Sequence, residues 1–112
     1  MIIEDDPFIA LDLQDVVEEA GYDVVGPYAS PLDALAVLDG DDRPDCALLD
    51  FNVRGGTTAD MARHLDRIGV PYVFVTANAD AVRDALPRLA PLVRTKPVQP
   101  WRIVGDVEAM LA

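Results

Sequence analysis

The segment Asp45-Cys46-Ala47-Leu48-Leu49-Asp50-Phe51-Asn52 decides the fold of this 112-residue chain. Residues 46–49 form an unbroken apolar run that stops at a carboxylate, Asp50. A strand with one solvated face alternates apolar and polar positions, so a continuous run predicts a strand buried on both faces. Outward from it, short apolar runs alternate with stretches of helical spacing. Met1-Ile2-Ile3 predicts a first strand leading straight into Glu4-Asp5-Asp6. From Pro7, the residues Ile9, Leu13, Val16, Val17 and Ala20 recur as on one helical face, with Gly21 placed as a stop. Asp23-Val24-Val25 reads as a second strand. Ser30-Pro31-Leu32-Asp33 offers an N-cap, a proline at the first helical position and a first-turn acid, opening a helix that Gly40 ends.

Beyond Asp50 the alternation continues. Gly55-Gly56 predicts a flexible turn, and Thr57 or Thr58 caps a third helix whose apolar face is Met61, Ala62, Leu65 and Ile68. Tyr72 to Val75 is a β-branched and aromatic fourth strand ending at Thr76. A fourth helix around Asp80–Leu86 is expected to be short or distorted, because Pro87 removes a backbone donor. Leu92 to Thr95 is a fifth strand, and from Pro100 a last helix presents Ile103, Val107, Met110 and Leu111. Apolar strands alternating strictly with helices require a parallel sheet covered on both faces by right-handed crossovers. The expected fold is therefore α/β, a five-stranded parallel sheet of order 2-1-3-4-5 flanked by five helices, with its binding crevice at the carboxyl ends of strands one and three. Residues 1–112 are expected to form one domain.

Composition restricts the function. Twenty Asp+Glu oppose nine Lys+Arg, a formal net charge of −11, the wrong sign for direct contact with nucleic acid or an anionic membrane. The single Cys46 permits no internal disulfide and reads as a small core hydrophobe. No apolar run reaches membrane-spanning length and the first residues do not form a signal peptide, so a cytoplasmic domain is expected. A first strand this short is also what a domain cut from a longer chain would show. Eight of the nine basic residues are Arg, and the one Lys, Lys96, stands before a proline.

Polar residues punctuate the strand ends: Glu4-Asp5-Asp6 after strand one, Asp50 after strand three, Thr76 after strand four and Lys96 after strand five. Taken singly each is ordinary, since acids after a strand are commonly solvated turn residues. Together they lie at one edge of the sheet. Asp5 and Asp50, on neighbouring strands, would repel unless a cation sat between them, and hard oxygen ligands suit Mg²⁺. A lone ammonium and a hydroxyl at the same edge add a positive charge and a donor for an anion. The set describes a site for a phosphoryl group.

In this order the motifs resemble the receiver domain of a two-component response regulator, over essentially the whole chain. The resemblance is carried by Ile3-Glu4-Asp5-Asp6-Pro7, by Pro44-Asp45 leading into Leu48-Leu49-Asp50-Phe51-Asn52, by Val73-Phe74-Val75-Thr76-Ala77 and by Thr95-Lys96-Pro97. It implies the flavodoxin-like receiver fold, Asp50 as phosphoacceptor, and Mg²⁺ bound by Asp5, Asp50 and the backbone carbonyl of Asn52, with Glu4 acting through a bound water. Thr76 and Lys96 would contact phosphoryl oxygens, and the Lys96–Pro97 bond would be of the cis type frequent in the family. The implied partner is a sensor histidine kinase or a phosphotransfer protein. A homodimer through the face of helix four, strand five and helix five is a further mode of association. The domain would act on no substrate beyond its own phosphorylation and dephosphorylation.

One departure stands out. Receivers usually carry Tyr or Phe three positions before the strand-five Lys, and here that position is Val93. The stretch Pro71-Tyr72-Val73-Phe74-Val75-Thr76-Ala77-Asn78 is partly similar to a subgroup of stand-alone receivers that has Phe-Ala-Thr-Gly-Tyr there and no strand-five aromatic. Val93 raises an alternative, a receiver-like module that docks on its partner independently of phosphorylation. A phosphatase of the haloacid-dehalogenase type also combines Asp, Thr, Lys and acids, but requires its nucleophile in a first-strand Asp-x-Asp motif, whereas here the acidic cluster comes first. His64 reads as part of a solvated helix face with Asp60 and Arg67, Trp101 as either core or partner surface, and Asp39–Arg43 as a solvated loop.

Overall fold

Ile2, Leu48, Val73 and Val75 bury toward one side of the sheet, while Ile3, Leu49 and Phe74 bury toward the other. This period of two makes both faces apolar, and each needs its own helical cover. The computed structural model, which describes residues 1–41 and 43–112, meets that need with β1 (Ile2–Ile3), α1 (Pro7–Glu19), α2 (Pro31–Leu38), β2 (Ala47–Leu49), β3 (Asn52–Val53), β4 (Gly56–Thr57), α3 (Ala59–Ile68), β5 (Tyr72–Thr76), α4 (Ala79–Ala85), β6 (Val93–Thr95) and α5 (Pro100–Leu111). On the first face Leu13 and Val17 of α1 and Ile103 and Val107 of α5 close the core. On the second, Ala34 and Leu38 of α2, Ala62 and Leu65 of α3, and Val82 of α4 do so.

The main sheet is parallel with order β1-β2-β5-β6. Its register pairs Ile3 with Leu49, Leu49 with Phe74, and Thr76 with Thr95. The expected second strand at Asp23–Val25 does not form a ladder. The chain runs beside β1 instead, with Ile2 N–H donating to Val25 O at 3.1 Å, Tyr28 N–H to Ile2 O at 2.9 Å and Glu4 N–H to Tyr28 O at 2.9 Å. Only the Ile3–Tyr28 pair is a β-bridge. Pro27 has no N–H to offer and Gly26 sits at φ +103°, so the segment cannot stay regularly extended. It keeps the predicted place at the sheet edge without becoming a fifth ladder strand.

Other local expectations are met or displaced for identifiable reasons. Gly21, at φ +97°, follows α1, and α4 is short, ending at Ala85 before Pro87. Gly55-Gly56, expected as a flexible turn, lies in a small antiparallel hairpin over residues 52–57, with Asn52 opposite Thr57 and Val53 opposite Gly56. Trp101 lies on the surface, 65% exposed, with the Arg102 guanidinium 4.5 Å from its ring centre. Cys46 is half-buried against the α1–α5 side of the core rather than fully inside it. His64 Nδ1 accepts from the Arg67 guanidinium at 3.3 Å on the outer part of α3, while Asp60 pairs with Arg63 at 2.7 Å. The loop after α2 is exposed at Asp39, Asp41 and Arg43, and Asp42 lies outside the described residues.

Phe74 joins the layers. It is 0% exposed and meets Phe51 and Tyr72 edge to face, with ring centres 6.0 and 5.9 Å away. Phe74→Ala leaves a cavity between β5 and the α3–α4 layer and is expected to lower unfolding free energy by about 3–5 kcal/mol in urea denaturation. A loss below about 1 kcal/mol would mean that this side of the core collapses around the gap.

Candidate functional site

Parallel register brings residues from distant parts of the chain to one edge. Glu4 follows β1, Asp50 follows β2, Thr76 ends β5 and Lys96 follows β6. One residue beyond the paired Ile3 and Leu49, Glu4 and Asp50 leave neighbouring strands side by side. The Lys96 ammonium donates to Glu4 Oε1 and, at 3.0 Å, to Asp50 Oδ2. These partners are 92 and 46 residues away in sequence. Carboxylate oxygens of Glu4, Asp5 and Asp50 all lie within 4.8 Å of one another.

Burial differs among the three acids. Glu4 is 2% exposed, whereas Asp5 and Asp50 are half-buried and open to the crevice. Removing Glu4 from water, together with the neighbouring Asp50, pushes its carboxyl up to about 7 even though Lys96 opposes the shift. For Lys96, burial alone would lower the pKa, but bonds to Glu4 and Asp50 outweigh it and hold the ammonium above the ordinary lysine range. The other carboxylate oxygens are also engaged: Asp6 N–H donates to Glu4 Oε2 at 3.3 Å and Phe51 N–H to Asp50 Oδ1 at 2.7 Å.

Thr76 is 1% exposed at the end of β5. Its hydroxyl oxygen accepts from Asn78 N–H at 3.3 Å, and its carbonyl accepts from Lys96 N–H at 2.9 Å, so the β5 and β6 ends are joined directly beneath the ammonium. Asn52 is exposed at the start of the hairpin that follows Asp50. Lys96–Pro97 is a cis peptide. The residues named from the sequence thus lie at one edge of the sheet, with the carboxylates of Glu4, Asp5 and Asp50 close together and Lys96 bonded to Glu4 and Asp50. Val93 packs half-buried against the core opposite Phe74, with no aromatic ring at that position.

Three supporting residues escape sequence reading. Asp6, read only as part of the acidic run, caps α1 by accepting from Phe8 N–H at 2.9 Å and Ile9 N–H at 3.2 Å. Arg94 of β6 clasps Asp106 of α5 through two bonds of 2.8 Å, which raises the Arg94 pKa, and only the folded chain brings that pair together. Thr58, expected as a helix cap, makes no cap bond and donates its hydroxyl to the Asp50 carbonyl at 2.6 Å. For Asp6 the signal was present: an Asp immediately before Pro7 at a helix start.

The donor set fits a hard divalent cation. It offers only oxygen, from three carboxylates against one ammonium, in a crevice where two of the acids face water. Among the described residues this is the one group of three or more acids, histidines or cysteines arranged to hold a metal ion.

The chain is similar to known proteins over nearly its whole length. Residues 1–108 match the family model described as the response regulator receiver domain. The phyllosphere-induced regulator PhyR of Methylorubrum extorquens is 33% identical over 114 residues, covering 99% of this chain and 42% of that protein. The signal receiver domain of a modulated diguanylate cyclase from Desulfovibrio desulfuricans superposes with a TM-score of 0.87 at 28% identity, over 98% of this chain and 90% of the other. The response regulator PhyR from Brucella abortus gives a TM-score of 0.83 at 31% identity, over 99% of this chain and 46% of the other. The chain spans less than half the length of the curated relatives it matches, 42% and 46%.

The Glu4 shift gives a pH dependence whose sign is fixed. Its folded pKa, about 7, lies above the ordinary value of 4.5, so the folded protein holds an extra proton between the two. The associated stability is fully present below pH 4.5 and is lost as pH rises through 7. Without divalent cations, wild type should therefore lose about 1–3 kcal/mol relative to Glu4→Gln between pH 5 and pH 8 in urea titrations. A constant difference between the two proteins would show that Glu4 is ionised throughout.

Proposed function

The chain belongs to the response regulator receiver domain family, and from that premise we propose that it accepts a phosphoryl group on Asp50 and relays this event by changing a protein-interaction surface. The observation that carries the reading is the Lys96 ammonium held between Glu4 and Asp50 at the carboxyl edge of a parallel sheet. A cation fixed there, beside a half-buried carboxylate nucleophile, is what phosphoryl transfer asks of a protein: positioning and charge neutralisation rather than new covalent machinery.

In this reading an Asp50 carboxylate oxygen attacks the phosphorus of a phosphohistidine on a sensor kinase or phosphotransfer protein. The P–O bond forms as the P–N bond breaks, and the partner's imidazole leaves with the bonding pair and regains a proton from water. Lys96 takes up charge on the phosphoryl oxygens, and the Thr76 hydroxyl, at the end of β5, donates to one of them. Asp5, Asp50 and the Asn52 carbonyl would hold Mg²⁺, with Glu4 acting through a bound water, and the ion would supply further positive charge to the transferring group. Water later cleaves the acyl phosphate, so the domain processes only its own modification. Its location is taken to be the cytoplasm, and residues 1–112 act as one receiver unit.

Drawing the Thr76 hydroxyl toward a phosphoryl oxygen would give up its bond from Asn78 N–H, and Asn78 caps α4 through Ala81 N–H at 3.2 Å. Phosphorylation is thereby coupled to the start of α4 without an aromatic switch at position 93. The face of α4, β6 and α5, where Leu92 is 46% and Trp101 65% exposed, is where a partner protein or a second copy would read the change. With twenty acids against nine basic residues, that partner is a protein and neither nucleic acid nor a membrane. The one observation favouring phosphorylation-independent docking is Val93.

Incubation with Mg²⁺ and acetyl phosphate should add one phosphoryl group by intact mass, and Asp50→Asn should abolish the addition. Lys96→Ala should keep the fold and slow the uptake by about tenfold or more. Uptake that persists in Asp50→Asn removes the assigned phosphoacceptor. Equal partner affinity with and without beryllofluoride would establish the phosphorylation-independent alternative.

A further inference from the structure

Asp50 and Phe51 have four backbone polar groups, and each has a partner. Asp50 N–H donates to Ile3 O at 2.9 Å, and Phe51 N–H donates to Asp50 Oδ1 at 2.7 Å. The two carbonyls are both held by one residue. Thr58 donates its hydroxyl to Asp50 O at 2.6 Å and its backbone N–H to Phe51 O at 2.9 Å. Thr58 is 0% exposed. It stands at the N-terminus of α3, where a threonine hydroxyl ordinarily accepts from the helix backbone, yet it makes no such bond. The neighbouring Thr57 takes that part, its Oγ1 accepting from Ala59 N–H at 3.4 Å. The Thr58 hydroxyl is thereby left for Asp50.

We propose that Thr58 is a positioning residue for the phosphoacceptor, clasping the Asp50 and Phe51 carbonyls so that the Asp50 carboxylate and the Asn52 carbonyl face the crevice together. The inference rests on the receiver reading of Asp50 given above. From Asp50 the chain passes through Phe51 into the β3–β4 hairpin, which returns with Asn52 opposite Thr57 and delivers Thr58 back beneath its starting point. The loop is closed by Thr58 on one side and by β1, through Ile3, on the other. With both carbonyls held, the peptide planes on either side of Phe51 are set, and the direction of the next carbonyl, that of Asn52, then depends only on the Asn52 torsions, which its pairing with Thr57 restrains. The Asp50–Phe51 plane also carries the N–H that orients Asp50 Oδ1. Without the hydroxyl, the Asp50 carbonyl has no remaining partner among the described residues in a half-buried setting, and turning toward another donor would rotate that N–H away from the carboxylate.

The clasp is distinguished from simple packing by two substitutions. Thr58→Val keeps the volume and removes the hydroxyl, whereas Thr58→Ser keeps the hydroxyl and removes the methyl group. Mg²⁺ affinity by calorimetry and the rate of phosphoryl uptake from acetyl phosphate are compared at a temperature well below the melting point of each protein. Thr58→Ser is expected to stay within about twofold of wild type on both measures, and Thr58→Val to lose about tenfold or more on both. Wild-type affinity and rate in folded Thr58→Val would overturn the proposal. So would an equal loss in Thr58→Ser, which would assign the effect to the methyl group. Should Thr58→Val not fold, Thr58→Ala against Thr58→Ser gives the same comparison. A wild-type protein that takes up no phosphoryl group refutes the role of Asp50, while the Mg²⁺ affinities still decide that of Thr58.

Discussion

Three carboxylates converge at the edge of this sheet with a single lysine among them, and the rest of the molecule is arranged around that electrostatic conflict. Glu4, Asp5 and Asp50 present oxygens within 4.8 Å of one another. Such a group is held together against its own repulsion only by covalent connection to well-packed strands and by a counter-charge. Lys96 supplies part of the counter-charge and a proton on Glu4 another part, which is why burial and Asp50 raise the Glu4 pKa despite the ammonium beside it. The site is thus short of positive charge by construction. A divalent cation at the three acids would answer that shortage, and in the reading proposed above its binding and the loss of the Glu4 proton are linked steps of one balance.

The strands impose the geometry through register. Ile3 opposite Leu49 places Glu4 beside Asp50, and Thr76 opposite Thr95 places Lys96 one residue beyond Thr76. A slip of one residue in either pair would turn the apolar side chains to the wrong face, and both faces of this sheet are packed with helices. The core therefore fixes the site more strictly than the polar residues can fix themselves. Phe51 shows the coupling locally: its ring packs against Phe74 while its backbone N–H holds the Asp50 carboxylate.

Much of this was legible in the sequence because both strong signals are local. Unbroken apolar runs mark doubly buried strands, and a charged or hydroxyl residue ending such a run marks the sheet's functional edge. Asp50 directly follows β2, Thr76 ends β5 and Lys96 directly follows β6, so their common location follows from topology alone. The edge segment at residues 24–28 was less legible: its valines carry strand propensity, but Gly26 and Pro27 fall where a ladder would need regular dihedrals and a donor. The role of Thr58 was hidden for a different reason. A threonine before a helix reads as a cap, and only the fold shows that Thr57 serves the helix while the hydroxyl beside it faces the Asp50 carbonyl. Arg94 and Asp106 carry no signal in their spacing, since their pairing is made by α5 crossing behind β6.

The pair Arg94–Asp106 also bears on how a small event at the site reaches the surface. Arg94 lies two residues before Lys96 on the same strand, and its two bonds to Asp106 tie β6 to α5, whereas the β5 end is tied to α4 through Asn78. The two helices of the exposed α4–β6–α5 face are therefore anchored to the two strand ends that carry Lys96 and Thr76. These anchors differ in strength. A bidentate guanidinium–carboxylate clasp, with Asp106 7% exposed, resists displacement far more than two neutral backbone bonds of 3.2 and 3.3 Å. In the phosphorylation reading proposed above, a pull on Thr76 would meet the weaker anchor and pass into α4, a seven-residue helix that ends before Pro87, rather than into α5. With Val93 in the place of an aromatic ring, this inequality would give such a response its direction.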